Sequence, residues 1–270
     1  MRDLARRFGI RPSKALGQNF LIDPNLAKAI AADAEVGPGT SVVEVGAGFG
    51  SLTLALAAAG ADRVIAIEFD RALIPALGSV LADHSEVTVR HGDALRMDLA
   101  EELEGAPWTL CANLPYNISV PLVLTVLDSV PAVTRLVVMV QREVGERLVA
   151  GPGEEAYGAV SVRVAYRAKA ATVRRVPSAV FWPRPRVESV VVRLDRLPAP
   201  PVDAPEAGLW RVVDAGFAER RKTMRNALRR LGLEGTQADA ILTDCGVNPS
   251  TRAEALSLAL FAAIAERMPA

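Results

Sequence analysis

The chain has 270 residues, with 31 basic and 31 acidic side chains and half of its residues hydrophobic, an ordinary balance for a folded chain of one large and one small domain. No uncharged apolar run approaches the length of a membrane helix, and the basic N-terminus lacks the apolar region of a secretion signal. The two cysteines, Cys111 and Cys245, offer neither a disulfide framework nor metal-ligand spacing, so the expected setting is a reducing cytoplasm with no metal.

Charge is unevenly spread. Residues 1–20 hold five Lys/Arg and one acid, residues 161–194 eight and one, and residues 217–230 six and one. Separated basic blocks in a neutral chain fit either a polyanion-binding face or solvated helix faces with local ion pairs.

From residue 25 to 140, helix-like and strand-like segments alternate. Asp23-Pro24-Asn25 opens a helix, because Asp caps and Pro suits the first turn. Ser41–Val45 reads as an apolar strand, Ser51–Ala59 as an Ala/Leu helix stopped by Gly60, and Arg63–Ile67 as a second strand. Arg71–Leu81 fits a helix that Pro75 and Gly78 weaken. Val87–Val89, Trp108–Ala112 and Leu136–Val140 continue the strands, with a helix over Val120–Leu127. This alternation predicts a parallel, doubly wound sheet with ligands beyond the carboxyl ends of its strands. Residues 151–157 form a breaker-rich loop, and two β-rich stretches follow near 170–176 and 187–194. Four prolines between Leu197 and Pro205 suggest a semi-rigid linker. Beyond it, 206–270 carry helical periodicity with breaks at Gly232, Gly235, Gly246 and Pro249. The expected domains are 1–196, including a basic segment 1–20, and a helical 197–270.

Three features sit at successive strand ends. Glu44-Val-Gly46-Ala-Gly48-Phe-Gly50 lies between a strand and a helix, where glycines permit positive φ and close backbone approach to a ligand. Its spacing departs from the dinucleotide fingerprint, and alone it is equally a tight turn. Glu68 ends the second strand, where an acid can bind both hydroxyls of a ribose. Asp93, within Gly92-Asp93-Ala94, is placed to accept a hydrogen bond from an adenine amine. Each reads alone as an ordinary turn or strand-end residue; together they point to a nucleoside site.

Asn113-Leu114-Pro115-Tyr116, at the end of the fourth strand, narrows the chemistry. An adenine amine is a poor nucleophile because its lone pair conjugates with the ring. The side-chain oxygen of Asn113 and a nearby backbone carbonyl, with Leu114 the candidate, can accept its two N–H bonds. That favours a pyramidal nitrogen able to attack a methyl sulfonium. Tyr116 can stack on an extruded base.

With these residues in hand, the sequence resembles the small-subunit ribosomal RNA adenine dimethyltransferases. The resemblance runs through Lys14–Leu21, Glu44–Thr53, Asn113–Ser119, Met139–Val144, Val180–Ser189 and Phe217–Asn226. It implies an α/β fold with a Rossmann-like seven-stranded class I methyltransferase sheet and a small helical C-terminal domain. It implies S-adenosylmethionine as cofactor, held by Asn19, Leu21, Gly46, Glu68, Asp93 and Asn113, with Gly48 in the same loop. Phe181 is expected to face the target base opposite Tyr116. Ala47 departs from the family, whose members often have Pro there, without removing a ligand group. The implied activity is N6,N6-dimethylation of two adjacent adenines in 16S rRNA by a monomer, with the immature small ribosomal subunit as partner, no membrane, and a role in subunit biogenesis. Arg220, Arg221, Lys222 and Arg225 would then meet phosphates, and Arg184 and Arg186 the RNA near the base pocket. Two rivals stand beside it: a large-subunit rRNA methyltransferase of the antibiotic-resistance type, which shares the fold and the Asn-x-Pro-Tyr site, and a mainly noncatalytic ribosome-assembly or nucleic-acid-binding factor, which shares the fold but is opposed by the intact cofactor and Asn-x-Pro-Tyr elements.

Overall fold

The apolar run Ser41–Val45, between Gly39 and Gly46, becomes a strand, and the Ala/Leu-rich run Ser51–Ala58 becomes a helix. The computed structural model describes residues 1–13, 15–105 and 107–269; Lys14, which opens the Lys14–Leu21 motif, lies outside them. In chain order the elements are α1 (Arg2–Arg7), β1 (Phe20–Leu21), α2 (Pro24–Asp33), β2 (Ser41–Val45), α3 (Ser51–Ala58), β3 (Arg63–Glu68), α4 (Ile74–Val80) and β4 (Val87–His91). There follow α5 (Leu99–Glu102), β5 (Trp108–Asn113), α6 (Ser119–Ser129), β6 (Val133–Gln141), α7 (Arg142–Val149) and α8 (Ala159–Arg167). The rest comprises β7 (Ala168–Val176), β8 (Phe181–Trp182), β9 (Ser189–Arg196), α9 (Glu206–Phe217), α10 (Met224–Arg230), α11 (Gly235–Asp244) and α12 (Leu258–Glu266).

The chain divides into two compact units, 1–145 with 169–196, and 146–168 with 197–270. The first holds the seven-stranded sheet, in the order β4-β3-β2-β5-β6-β9-β7. Strands β4 to β6 run parallel, and β9 returns antiparallel to β6. Every residue of β2 is buried, as is all of β3 beyond Arg63, which is why these strands read as unbroken apolar runs rather than alternating ones. Strand order reverses between β2 and β5. Their carboxyl ends, at Val45 and Asn113, therefore diverge around a crevice, the place where open α/β sheets bind ligands.

Local signals explain several boundaries. The Asp23 carboxylate caps α2 by accepting from the N–H groups of Asn25 and Leu26, at 2.8 and 3.2 Å. Pro75, expected to weaken a helix over Arg71–Leu81, lies in the first turn of α4, where its missing N–H costs nothing. The helix simply begins later, at Ile74. Gly235, expected as a break, is the first residue of α11.

The second unit is helical around a core that includes Tyr166, Leu209, Val213, Leu228 and Phe261. The expected boundary at 196/197 assigned residues 146–168 to the first domain, and the structure corrects this. Tyr157, Val162 and Tyr166 are buried in the helical core, and the Tyr157 hydroxyl donates to the Leu256 carbonyl at 2.8 Å. Their apolar side chains find partners more than forty residues downstream, which chain continuity does not reveal.

Candidate active site

A cavity of about 200 Å³ opens at the carboxyl ends of β2, β3, β4 and β5, entirely within the first unit. The turn after β2 forms one wall. Gly46 and Gly48 hold φ of 79° and 59°, conformations that L side chains rarely adopt. A Cβ on Gly48 would come within 2.9 Å of the Phe20 ring, and one on Gly46 within 3.4 Å of Pro115. Backbone therefore faces the crevice without side-chain cover.

Glu68 ends β3 with 5% of its surface exposed. One carboxylate oxygen accepts from the Gly48 N–H at 2.7 Å and the other from the Asp70 N–H at 2.8 Å. Burial pushes its pKa up, and those backbone donors oppose the shift. Each oxygen keeps a lone pair for a hydroxyl donor, which suits the two adjacent hydroxyls of a ribose. Asp93, beyond β4, lines the same cavity and accepts from the Leu95 N–H at 3.1 Å. Phe69 and Asp70 also line it, Phe69 being 54% exposed.

Glu44 lies deeper, on β2. Burial is the main cause that raises its pKa to about 8; the Thr53 hydroxyl, donating at 2.6 Å, pulls the other way, and the nearby Glu68 charge adds to the rise. It is therefore mostly a neutral carboxylic acid at pH 7, which spares the site a second buried negative charge beside Glu68.

The fourth strand end brings Asn113, Leu114, Pro115 and Tyr116 to the opposite wall. The Asn113 amide nitrogen donates to the Asn19 carbonyl at 2.9 Å, so its Oδ1 remains an acceptor. Leu114 is fixed from below, its N–H donating to the Met139 carbonyl at 3.1 Å. Tyr116 lines the cavity, and its buried hydroxyl faces that of Ser189. Burial pushes its phenol above the ordinary range, and the Ser189 hydroxyl opposes the rise.

The expected site residues Asn19, Gly46, Gly48, Glu68, Asp93, Asn113, Leu114 and Tyr116 thus line one cavity. Others do not. Leu21 is buried and borders a smaller recess with Phe20, Gly46, Gly48 and Asn113. Phe181, expected to face the base opposite Tyr116, is 4% exposed and packs in a core cluster with Leu21, Ile30 and Val176. The cause is the short antiparallel ladder of β1 with β8, which sets Phe181 across from Leu21 and Trp182 across from Phe20. Arg184 and Arg186 are exposed outside the cavity lining, and Arg184 donates to the Ser178 hydroxyl at 2.9 Å.

In the second unit Arg220, Arg221 and Lys222 are exposed, and Arg220 reaches the Glu155 carbonyl at 3.3 Å. Arg225, expected to meet phosphate, is instead half-buried and ion-paired with Asp239 at 2.7 Å, tying α10 to α11. Sequence reading did not single out Gln18 and Asp70, whose side chains join at 2.7 Å on the cavity rim. Their signal was position alone: Gln18 lies inside the Lys14–Leu21 motif, and Asp70 two residues past Glu68.

The family model described as ribosomal RNA adenine dimethylase matches residues 10–269. The chain belongs to the ribosomal RNA adenine dimethylase family. Among curated relatives it is similar to ribosomal RNA small subunit methyltransferase A of Thermobifida fusca, 46% identical over all of this chain and 94% of that one. The Streptomyces griseus protein of the same name is 47% identical with the same coverage of both chains. Among solved structures it resembles a dimethyladenosine transferase from Plasmodium falciparum, at TM-score 0.74 and 22% identity, covering 91% of this chain and 95% of that one. The 23S rRNA methyltransferase ErmE gives TM-score 0.72 and 24% identity, covering 92% and 99%. At these identities the two structures establish the shared class I methyltransferase fold, as the sheet order does. The dimethylase family depends on S-adenosylmethionine, and the crevice fits that group: glycine backbone on one wall, a doubly anchored carboxylate at its centre, an acidic side chain beyond.

Proposed function

We propose that this dimethylase transfers methyl groups from S-adenosylmethionine to the N6 amine of two adjacent adenines of small-subunit rRNA, as a cytoplasmic monomer acting on the immature subunit. The observation that supports the reading is the Asn113 amide, whose nitrogen is taken by the Asn19 carbonyl while its oxygen stays free to accept, in the lining of a cavity shared with Glu68, Asp93 and Tyr116. The relatives' name, ribosomal RNA small subunit methyltransferase A, favours the small subunit over the large-subunit target of ErmE. Among the described residues no helix is long and apolar enough to cross a membrane.

When bound, S-adenosylmethionine supplies a methyl group activated by its sulfonium. The protein's part is to hold that group and shape the nucleophile. Glu68 receives the ribose hydroxyls, Asp93 the adenine amine of the cofactor, and Gly46 and Gly48 allow backbone contact. Asn113 Oδ1 and the Leu114 backbone carbonyl accept the two N–H bonds of the target amine, drawing its lone pair out of ring conjugation. These acceptors strengthen as the nitrogen becomes positive, so they stabilise the transition state more than the bound base. Tyr116 holds the base by stacking. The methylated nitrogen is acidic while cationic and releases its proton to water, so no general base is needed. The second transfer repeats the cycle on the monomethylated amine, which has one N–H left to donate.

Arg184, Arg186, Arg220, Arg221 and Lys222 supply phosphate contacts, and the two compact units divide the work between methyl transfer and ribosome recognition. Purified protein should transfer labelled methyl from S-adenosylmethionine to unmethylated small-subunit particles, with mass spectrometry locating the label on two adjacent adenines. Label confined to large-subunit RNA, or normal cofactor binding with no label on any ribosomal substrate, contradicts this reading.

A further inference from the structure

Hydrogen bonds joined through the Gln18–Asn19 peptide link connect the β3 end of the cavity to the β5 end. Asp70, whose N–H is bound by Glu68, accepts from the Gln18 amide nitrogen at 2.7 Å. The Gln18 amide oxygen accepts from the Ser13 N–H at 2.7 Å, and the Gln18 N–H returns to the Ser13 carbonyl at 3.2 Å. The next residue, Asn19, offers its carbonyl to the Asn113 amide nitrogen at 2.9 Å. The segment lies close against the Asn113–Tyr116 loop: a Cβ on Gly17 would stand 3.4 Å from Asn117 Oδ1 and 3.5 Å from the Tyr116 nitrogen.

These bonds settle a chemical ambiguity. A primary amide can turn over, exchanging its donor end for its acceptor end at almost no steric cost. Only the orientation with Oδ1 toward the target amine accepts its N–H; the reverse sets two donors face to face. A carbonyl can only accept, so the Asn19 carbonyl fixes the Asn113 nitrogen on its own side and leaves Oδ1 to the cavity. The segment that carries this carbonyl is held on one side by Gln18, bonded at both ends of its amide, and on the other by the ladder that pairs Phe20 with Trp182.

Resting on the methyl-transfer reading above, we propose that Gln18 is a positioning residue for the reaction: its bond to Asp70 anchors the segment whose Asn19 carbonyl orients the acceptor of Asn113. The bond can be broken and rebuilt with reversed polarity. Gln18→Glu alone sets two carboxylates together. Gln18→Glu with Asp70→Asn restores a donor–acceptor pair, keeps an acceptor for the Ser13 N–H, and keeps the oxygen that receives the Ala72 N–H at 3.0 Å. In full-length protein, Gln18→Glu should lower kcat on unmethylated small-subunit particles roughly 10- to 100-fold at saturating cofactor. The thermal midpoint should stay unchanged. The side-chain amide protons of Asn113, followed by nitrogen-15 NMR, should exchange faster than in the wild type. The double variant should recover most of the rate and slow the exchange again. Should Gln18→Glu fold poorly, Gln18→Met removes the bond without a charge and is read the same way.

A normal kcat in the folded single variant overturns the proposal. So does a double variant as slow as the single one, or amide exchange indifferent to both changes. Inactivity of the wild type would instead count against the functional reading, because the exchange measurement needs no RNA.

Discussion

At the ends of β2 and β3 the protein satisfies its own polar groups, whereas at the end of β5 it leaves them open. Both oxygens of Glu68 are held by backbone N–H groups, and the turn that supplies one of them is set by glycines in left-handed conformations. Across the cavity, the Asn113 side chain is bonded through its nitrogen, and its Oδ1 has no partner among the described residues. The difference matches the two jobs. A cofactor of fixed shape is best met by a rigid, prepaid frame, while a reacting amine needs acceptors whose bonding is completed only as charge develops. Substitutions on the two walls should therefore fail in different currencies, one in rate and one in affinity.

The largest effect belongs to the open wall. Asn113→Ala removes the oriented acceptor and should lower kcat by roughly 10²–10³-fold, comparable to losing one preorganised transition-state hydrogen bond. Calorimetric titration should find S-adenosylmethionine affinity changed far less than the rate. A loss confined to cofactor affinity would erase the contrast between the walls. Next is Glu68→Ala, which should weaken cofactor binding by roughly 10- to 100-fold, since charged hydrogen bonds are lost and two N–H groups lose their acceptor. The same titration measures it, and kcat at saturating cofactor should fall less than binding does. Third is Gly48→Ala, which forces a side chain into positive φ and against Phe20. It should destabilise the protein by about 1–3 kcal/mol in thermal or urea unfolding. Unchanged stability there would mean that the frame is softer than its geometry implies.

What could be read from the sequence follows the same division. Gly46, Gly48, Glu68, Asp93 and Asn113 were legible because each sits at or just past the end of a strand, and a parallel sheet gathers such ends by topology alone. The residues that hold these groups in place were not. Gln18 and Asp70 are 52 residues apart, and nothing local marks them as a pair. The resemblance set Phe181 against the target base, yet a two-residue strand pairing, too short to leave a periodic pattern, turns it into the core. Arg225 looked like its exposed neighbours until α11 brought Asp239 against it. The hidden segment 146–168 belongs with the helical unit for the same reason: its apolar residues are completed by α9 and α12, not by the strands beside it in sequence.

The mildest prediction tests the frame from beneath. Glu44 is buried and retains its proton to about pH 8 in the folded protein, whereas the unfolded chain releases it near 4.5. Between those values the folded state binds a proton that the unfolded state has lost, so stability falls as pH rises across that window and levels off above it. The contribution is fully present below 4.5 and gone once pH has passed through 8. Glu44→Gln keeps the shape and an acceptor for the Thr53 hydroxyl but cannot ionise. Its thermal midpoint should therefore run flatter than that of the wild type between pH 5 and 8, with the two curves close at the acid end. Parallel curves would mean that Glu44 is charged in the folded protein. Glu68 would then share its frame with a second buried anion, and the glycine wall would have to stabilise two carboxylates where its N–H groups reach only one.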